Sequence, residues 1–171
     1  SGTPSNSDVG FYNNITISAT DGELTSSLPA FTIEVVNVND PPSISGSPAA
    51  TVAQGALYQF TPTASDIDGS ATLSFIIINQ PAWSSFNPNT GALTGTPGNN
   101  DVGTFSNIQI RVSDGELTTL LPAFSIEVTN INDAPTITGS PITLVNEDSP
   151  YNFSPVGNDI DPGLTTLTYS I

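Results

Sequence analysis

The stretch GTPGNNDVGTFSNIQIRVSDGELTTLLPAF, residues 95–124, is a second copy of GTPSNSDVGFYNNITISATDGELTSSLPAF, residues 2–31. The correspondence extends outward on the same offset of 93 residues (2 to 95). Asn39-Asp40 returns as Asn132-Asp133, and Asp66-Ile67-Asp68 as Asp159-Ile160-Asp161. A fixed period of this length denotes a tandem array of domains. The expected organisation is one complete repeat, residues 41–134, between the C-terminal half of one repeat, 1–40, and the N-terminal half of another, 135–171. Ser1 falls opposite Thr94, and Ile171 falls near Ile77 after a one-residue insertion around Pro162-Gly163. Such a chain is expected to be an excerpt of a longer one; the alternative is that the two halves complete each other between molecules.

Within the repeat, apolar residues fall near every second position. Phe105, Ile108, Ile110 and Val112 form one such set, and Phe124, Ile126 and Val128 another. Ile15, Ile17 and Ala19, then Phe31, Ile33 and Val35, match them in the first partial repeat. Tyr58, Phe60 and Pro62 are matched by Tyr151, Phe153 and Pro155. Ser, Thr and Asn fill the intervening positions, which is the pattern of half-buried antiparallel strands. No segment reads as an amphipathic helix, and fifteen prolines and fourteen glycines cut the chain into short strands. The expectation is all-β: tandem immunoglobulin-like β-sandwiches of about seven strands per repeat. Glu34 and Glu127, inside strands, are expected to face outward. Trp83 and Phe86 are expected in the core, as a tryptophan near the middle of a sandwich usually plugs it; the competing role is a sugar-stacking platform.

Sixteen acidic residues face a single basic one, Arg111, for a net charge of −15, and lysine and histidine are absent. A basic footprint for nucleic acid or for an anionic membrane surface is therefore missing, and no apolar run is long enough to insert into a membrane. Without cysteine there is no disulfide or thiolate chemistry. Without lysine there is no internal Lys–Asn isopeptide bond. The self-repulsion of so acidic a folded chain calls for bound cations. No His, Cys or Lys can serve as catalytic base or nucleophile, so the chain is not expected to be an enzyme. The sequons Asn14-Ile15-Thr16 and Asn152-Phe153-Ser154 lie in expected strands and are read as chance.

The acidic residues keep register with the repeat. Of the eleven aspartates, only Asp148 lies outside a motif present in two copies. Asp, Glu, Asn and backbone carbonyls are hard oxygen donors, and calcium takes six to eight of them at about 2.3–2.6 Å. The competing role is a solvated acidic surface closed by Asx turns.

These motifs resemble those of cadherin-type repeats. Asn37-Val38-Asn39-Asp40-Pro41-Pro42 and Asn130-Ile131-Asn132-Asp133-Ala134-Pro135 are similar to the cadherin linker Asp-x-Asn-Asp-x-Pro. Asp66-x-Asp68 and Asp159-x-Asp161 are similar to the Asp-x-Asp motif, and Ala19-Thr20-Asp21 and Val112-Ser113-Asp114 to Ala-x-Asp. Pro81-Ala82-Trp83 with Asn89-Thr90-Gly91-Ala92-Leu93-Thr94-Gly95-Thr96-Pro97 resembles more closely the dystroglycan-type cadherin-like and immunoglobulin-like repeats of bacterial surface proteins. The resemblance covers essentially the whole chain. It implies Ca2+ between successive repeats. The first joint would use Asp8, Asn37, Asn39, Asp40, Asp66, Asp68 and Asp114. The second would use Asp101, Asn130, Asn132, Asp133, Asp159 and Asp161, and Asp21 would serve a joint before residue 1. The chain departs from that pattern at Asn37 and Asn130, where the family has aspartate, and at Gln54, where it has a glutamate that Glu147 supplies in the next repeat. The Asp-Arg-Glu motif is reduced to Asp8 or Asp101. One or two ions per joint are therefore expected.

The function expected from the resemblance is that of a calcium-stiffened spacer in a large extracellular adhesin or surface filament of bacterial type. Its partners are the neighbouring repeats, with head-to-tail self-association of the half-repeats. The alternative is an adhesion module that binds polysaccharide or its own kind, with Trp83, Phe11 and Tyr12 as candidate contacts.

Overall fold

The structure is a computed structural model that describes residues 1–69, 72–163 and 166–171. Its centre is a β-sandwich built from ten short strands: β5 (Ser43–Ser45), β6 (Thr51–Ala53), β7 (Tyr58–Phe60), β8 (Thr63–Ser65), β9 (Ser74–Ile78), β10 (Ser84–Phe86), β11 (Leu93–Gly95), β12 (Gly103–Ser113), β13 (Thr118–Leu120) and β14 (Phe124–Thr129). One sheet runs β10-β11-β7; the other runs β13-β12-β14-β6, with β9 also on β12. β5 pairs with β8 as a separate ribbon. The expected seven strands become ten partly because prolines interrupt them. Pro62 separates β7 from β8, and Pro122 separates β13 from β14, since proline has no N–H to give a ladder.

The apolar alternation maps onto the core. Ile108, Ile110, Val112, Ile126, Val128 and Leu93 are fully buried, with Tyr58, Phe60, Phe75 and Leu121 beside them. Each such aliphatic side chain contributes about 1.5–3 kcal/mol by leaving water. The step from Phe105 to Ile108 breaks the two-residue period, and the structure shows why. The register of β12 against β14 shifts between those residues, and Asn107 takes φ +57°. One extra residue forms a bulge, and asparagine tolerates its left-handed backbone better than most residues. Trp83 is half-buried and lies edge-to-face between Tyr58 at 5.8 Å and Phe105 at 5.9 Å, which bears out the core reading. Glu34 and Glu127 face outward as expected.

One pairing is parallel. β6 runs alongside β14, Thr51 opposite Glu127 and Ala53 opposite Thr129. Backbone bonds extend the ladder at both ends, Glu127 N–H to Ala50 O (2.9 Å) and Gln54 N–H to Thr129 O (3.0 Å).

The flanking segments copy parts of this sandwich in register. In residues 1–40, β1 (Gly10–Ile15) pairs with β4 (Phe31–Val35), and β2 (Ser18–Thr20) with β3 (Thr25–Ser27). Gly10 opposite Val35 reproduces Gly103 opposite Val128, and the bulge returns with Asn14 at φ +59°. In residues 135–171, β15 (Thr136–Thr138) pairs with β16 (Val156–Asn158), as β5 pairs with β8. Tyr151 and Phe153, expected in a strand, lie outside any strand. Their counterpart β7 is held by β11, and among the described residues of this segment no strand stands in the place of β11 to complete the ladder. Burial follows the same logic: Ile126 is fully buried, whereas Ile33, the same place one repeat earlier, is 48% exposed because among the described residues no early strands face it. Among the described residues, no helix is long and apolar enough to cross a membrane.

Candidate functional site

The acidic motifs gather where the repeats meet. At the first joint, the turn after β8 is closed by Asp68 N–H donating to Asp66 Oδ1 (2.8 Å), an Asx turn. Asp68 Oδ2 then accepts the backbone N–H of Asp40 from the linker (2.8 Å). The other linker side chain, Asn39, donates through Nδ2 to Asp114 Oδ2 (2.9 Å), in the β12–β13 hairpin of the complete repeat. Asp114 is itself fixed, its Oδ1 accepting the N–H groups of Glu116 and Leu117 at 2.7 Å each. The Asn39 amide first, and then these two N–H groups, hold the Asp114 carboxyl below its ordinary 3.8, because donors stabilise the charged form.

The second joint repeats the geometry. Asp161 N–H donates to Asp159 Oδ1, and Asp133 N–H to Asp161 Oδ2, both at 2.8 Å. Asp133 Oδ2 accepts from Asn99 Nδ2 (3.2 Å) and Gln54 Nε2 (3.3 Å). Asn132 Nδ2 reaches Asp133 O (3.1 Å).

Sequence reasoning missed Asn6 and Asn99. Each sits in a 3-10 turn, Asn6–Asp8 or Asn99–Asp101, and each donates to a linker aspartate: Asn6 Nδ2 to Asp40 Oδ2 (2.7 Å), and Asn99 to Asp133. The signal was present, since the two asparagines stand 93 residues apart. The aspartates of those turns are engaged locally. Asp8 accepts from Ser5 N and Ser5 Oγ at 2.8 Å each, and Asp101 from Gly98 N at 2.8 Å. The Ser5 backbone N–H, with its hydroxyl, keeps the Asp8 carboxyl low. Asn37 and Asn130 are exposed, with no hydrogen bond to the other joint residues among those described. Asp21 closes its own hairpin through Leu24 and Glu23 N–H, which hold its carboxyl below the ordinary value, and among the described residues no linker side chain bonds to it.

The oxygens left over test whether a cation suits these joints. Asp66 Oδ2, Asp68 Oδ1 and Asp161 Oδ1 are buried without a hydrogen-bond partner among the described residues. Asp161 as a whole is 6% exposed. An unpaired buried carboxylate oxygen is costly. The side-chain donors at the joints are neutral amides, each of which can turn its oxygen inward instead. Among the described residues, no three carboxylates are gathered closely enough to hold an ion by themselves, so amide and backbone oxygens would complete the coordination. The donor set is all hard oxygen, which fits calcium and not zinc or copper.

Two packed sheets, a parallel β6–β14 edge and a strand register that recurs at the period of the sequence define an immunoglobulin-like β-sandwich repeat. The chain belongs to the family described as "Putative Ig domain", whose family model matches residues 41–129. A search of curated proteins found no significant match. Among solved structures, the chain is similar to extracellular cadherin domains 1–4 of protocadherin gamma B7, at 22% identity and a TM-score of 0.54, over 92% of this chain and 42% of that one. A cis-dimer structure of domains 3–6 of protocadherin gamma B7 gives 21% identity and 0.54, over 92% and 45%. Domains 3–6 of protocadherin gamma B2 give 19% and 0.53, over 93% and 45%. These likenesses show the cadherin-like fold, and the chain spans less than half the length of each of these structures.

Proposed function

We propose that the chain is a calcium-stiffened spacer of an extracellular adhesin or surface filament, divided into repeats at residues 40–41 and 134–135. The observation that carries this reading is the pair of buried, unpartnered carboxylate sites at Asp66/Asp68 and Asp161, one at each joint and 93 residues apart. Calcium bound there supplies the positive charge that none of the joint side chains provides. Asp66 and Asp68, with Asp40, Asn39 and Asp114, would hold it at the first joint; Asp159, Asp161, Asp133 and Asn132 at the second. Asn37, Asn130, Asp8 and Asp101 stand at the margins of these sets, while Asp21 lies in its own hairpin and belongs to neither. Asn39–Asp114 and Asp40–Asp68 already tie linker to repeat, so filling the site fixes an angle that is otherwise held by a few polar bonds. Small-angle scattering with calcium and with EDTA tests this: the extended profile is lost on chelation while the sandwich stays folded. An unchanged profile overturns the reading.

A second reading, self-association, is favoured by the apolar faces of the two flanking segments. Phe31 and Ile33 in one, and Tyr151 and Phe153 in the other, are exposed, whereas their counterparts in residues 41–134 close on each other. Early and late strands of neighbouring repeats, in the same chain or in a second copy, would cover them. Sedimentation of this chain with calcium present decides: head-to-tail oligomers support it, and a monomer at tens of micromolar removes it. The edge-to-face packing of Trp83 speaks against that residue as a sugar platform, and an adhesive role would fall to Phe11 and Tyr12.

A further inference from the structure

No charged residue lies between Asp68 and Asp101, although the chain carries sixteen acidic residues. That uncharged stretch supplies β9, β10 and β11. β9 pairs with β12, and β10 ends the other sheet. Phe75 N–H of β9 donates to Pro88 O, just beyond β10 (2.8 Å), and joins them into one neutral flank. The opposite edge, β6, lies beside Glu127, and the ends of the sandwich carry the acidic joints. Two copies of so acidic a chain therefore repel least across the β9 flank.

β9 is also an open edge. Antiparallel strands turn the backbone groups of alternate residues to opposite sides. Phe75 N–H points away from β12, so Ile77 N–H and C=O face the same open side, and neither has a backbone partner there among the described residues. Edge strands are usually guarded by charge, proline or a bulge; Ser74–Ile78 has none of these. Ile76 and Ile78 point outward, 49% and 41% exposed. Arg111, the one cation of the chain, stands opposite Ile76 on one side and exposed Leu120 on the other. This apolar row is particular to residues 41–134. One repeat earlier, Ser18 and Ser27 take the places of Arg111 and Leu120 and bond to each other (2.7 Å). One repeat later, Ser170 takes the place of Ile76.

We propose that β9 is a pairing edge for a second copy of this chain. The two β9 strands run antiparallel about a two-fold axis at Ile77, whose N–H and C=O bond to those of Ile77 in the other copy. Ile76 of each copy then stands opposite Ile78 of the other. One sheet continues through both molecules, with four isoleucines as an apolar ridge between the two Arg111 side chains. The contact uses neither the joints nor the flanking segments, so it is independent of both readings of function above.

The test is sedimentation velocity of the full chain, with calcium, up to hundreds of micromolar. A dimer is expected, and Ile76→Ser and Ile78→Glu should each weaken it at least about tenfold, because the two-fold axis counts every substitution twice. Both side chains are exposed in the single chain, so dilute samples of the variants should melt with the unmodified protein. Amide exchange at Ile77 needs no variant and should slow as the concentration rises. A chain that stays monomeric overturns the inference, as does association that leaves Ile77 exchange unchanged. If the dimer survives both substitutions, it forms through the flanking faces and β9 is not its edge.

Discussion

Asp68→Asn separates the two things that the Asp68 carboxylate does. Its Oδ2 accepts the Asp40 N–H across the linker, while its Oδ1 is buried with no partner among the described residues. The amide oxygen of asparagine keeps the first role and removes the charge. In EDTA the variant should therefore be as stable as the unmodified protein or slightly more so. Two like charges 4 Å apart repel by about 1 kcal/mol in a water-like dielectric, which bounds what removing one carboxylate from this acidic joint can gain. Asp68→Ala also strips the acceptor from the Asp40 N–H and should cost about 1–3 kcal/mol. In calcium the order reverses. A site at a hundredfold excess over its dissociation constant adds about 2.7 kcal/mol, and a tenfold weaker site adds about 1.4 kcal/mol. Calcium therefore stabilises Asp68→Asn less than it stabilises the unmodified protein, by about 1.3 kcal/mol, or about 5–10 °C less of a shift for a unit of this size. Differential scanning calorimetry of both variants, with calcium and with EDTA, reads this directly. If Asp68→Asn shifts the melt equally in both conditions, the carboxylate is structural and the cation argument at this joint fails. Isothermal titration adds a check on locality: Asp68→Ala should weaken the first joint and leave the second nearly untouched, while Asp133→Ala does the reverse.

Three further outcomes follow from the packing and the joint. Trp83→Ala should cost about 3–5 kcal/mol in urea unfolding, because the indole fills the space between Tyr58 and Phe105; a loss under 1 kcal/mol would return Trp83 to the surface. At Gly95 an added Cβ would lie 2.6 Å from Trp83 O and 2.9 Å from Ser84 Cα, so Gly95→Ala should destabilise by about 1–3 kcal/mol, and amide exchange across β10–β11 should accelerate; unchanged exchange would refute the contact. The Asp114 carboxyl is depressed below 3.8 by Asn39 foremost. A depressed folded value means that its contribution is in place above 3.8 and is lost as pH falls through the folded value. NMR titration should show that value rising toward 3.8 in Asn39→Ala, and no movement would break the proposed tie.

The repeat and its strands were legible because the signals are local or periodic. Duplication fixes the offset, and alternation at Ile108, Ile110 and Val112 marks the buried face; the bulge between Phe105 and Ile108 is a finding of the structure. The ten-strand division was less legible, since Pro62 and Pro122 interrupt ladders that alternation alone would run together. The Tyr151–Phe153 strand failed because alternation reports a preference, while a strand also needs a partner. At the joints, the grouping came from the resemblance and not from spacing: Asp40 meets Asp68, and Asn39 reaches Asp114 across 75 residues. Asp8 and Asp101 were implied by the resemblance as what remains of the acidic motif, yet their carboxylates close their own turns. The neighbouring Asn6 and Asn99 reach the linker instead. Which side chain of a tight turn points out is set by backbone geometry that residue type does not reveal.

The parallel pairing of β6 with β14 has a consequence under load. β6 lies near the entrance of the complete repeat and β14 near its exit, so tension on the two ends pulls these strands in opposite directions along their length. The bonds from Glu127 N–H to Ala50 O and from Gln54 N–H to Thr129 O, with the ladder between them, are then sheared together instead of being peeled apart singly. Rupture requires several bonds to fail in one event, and resistance to forced unfolding is governed by how rarely that happens. The sandwich of residues 41–134 is thereby latched against stretching by its own edge.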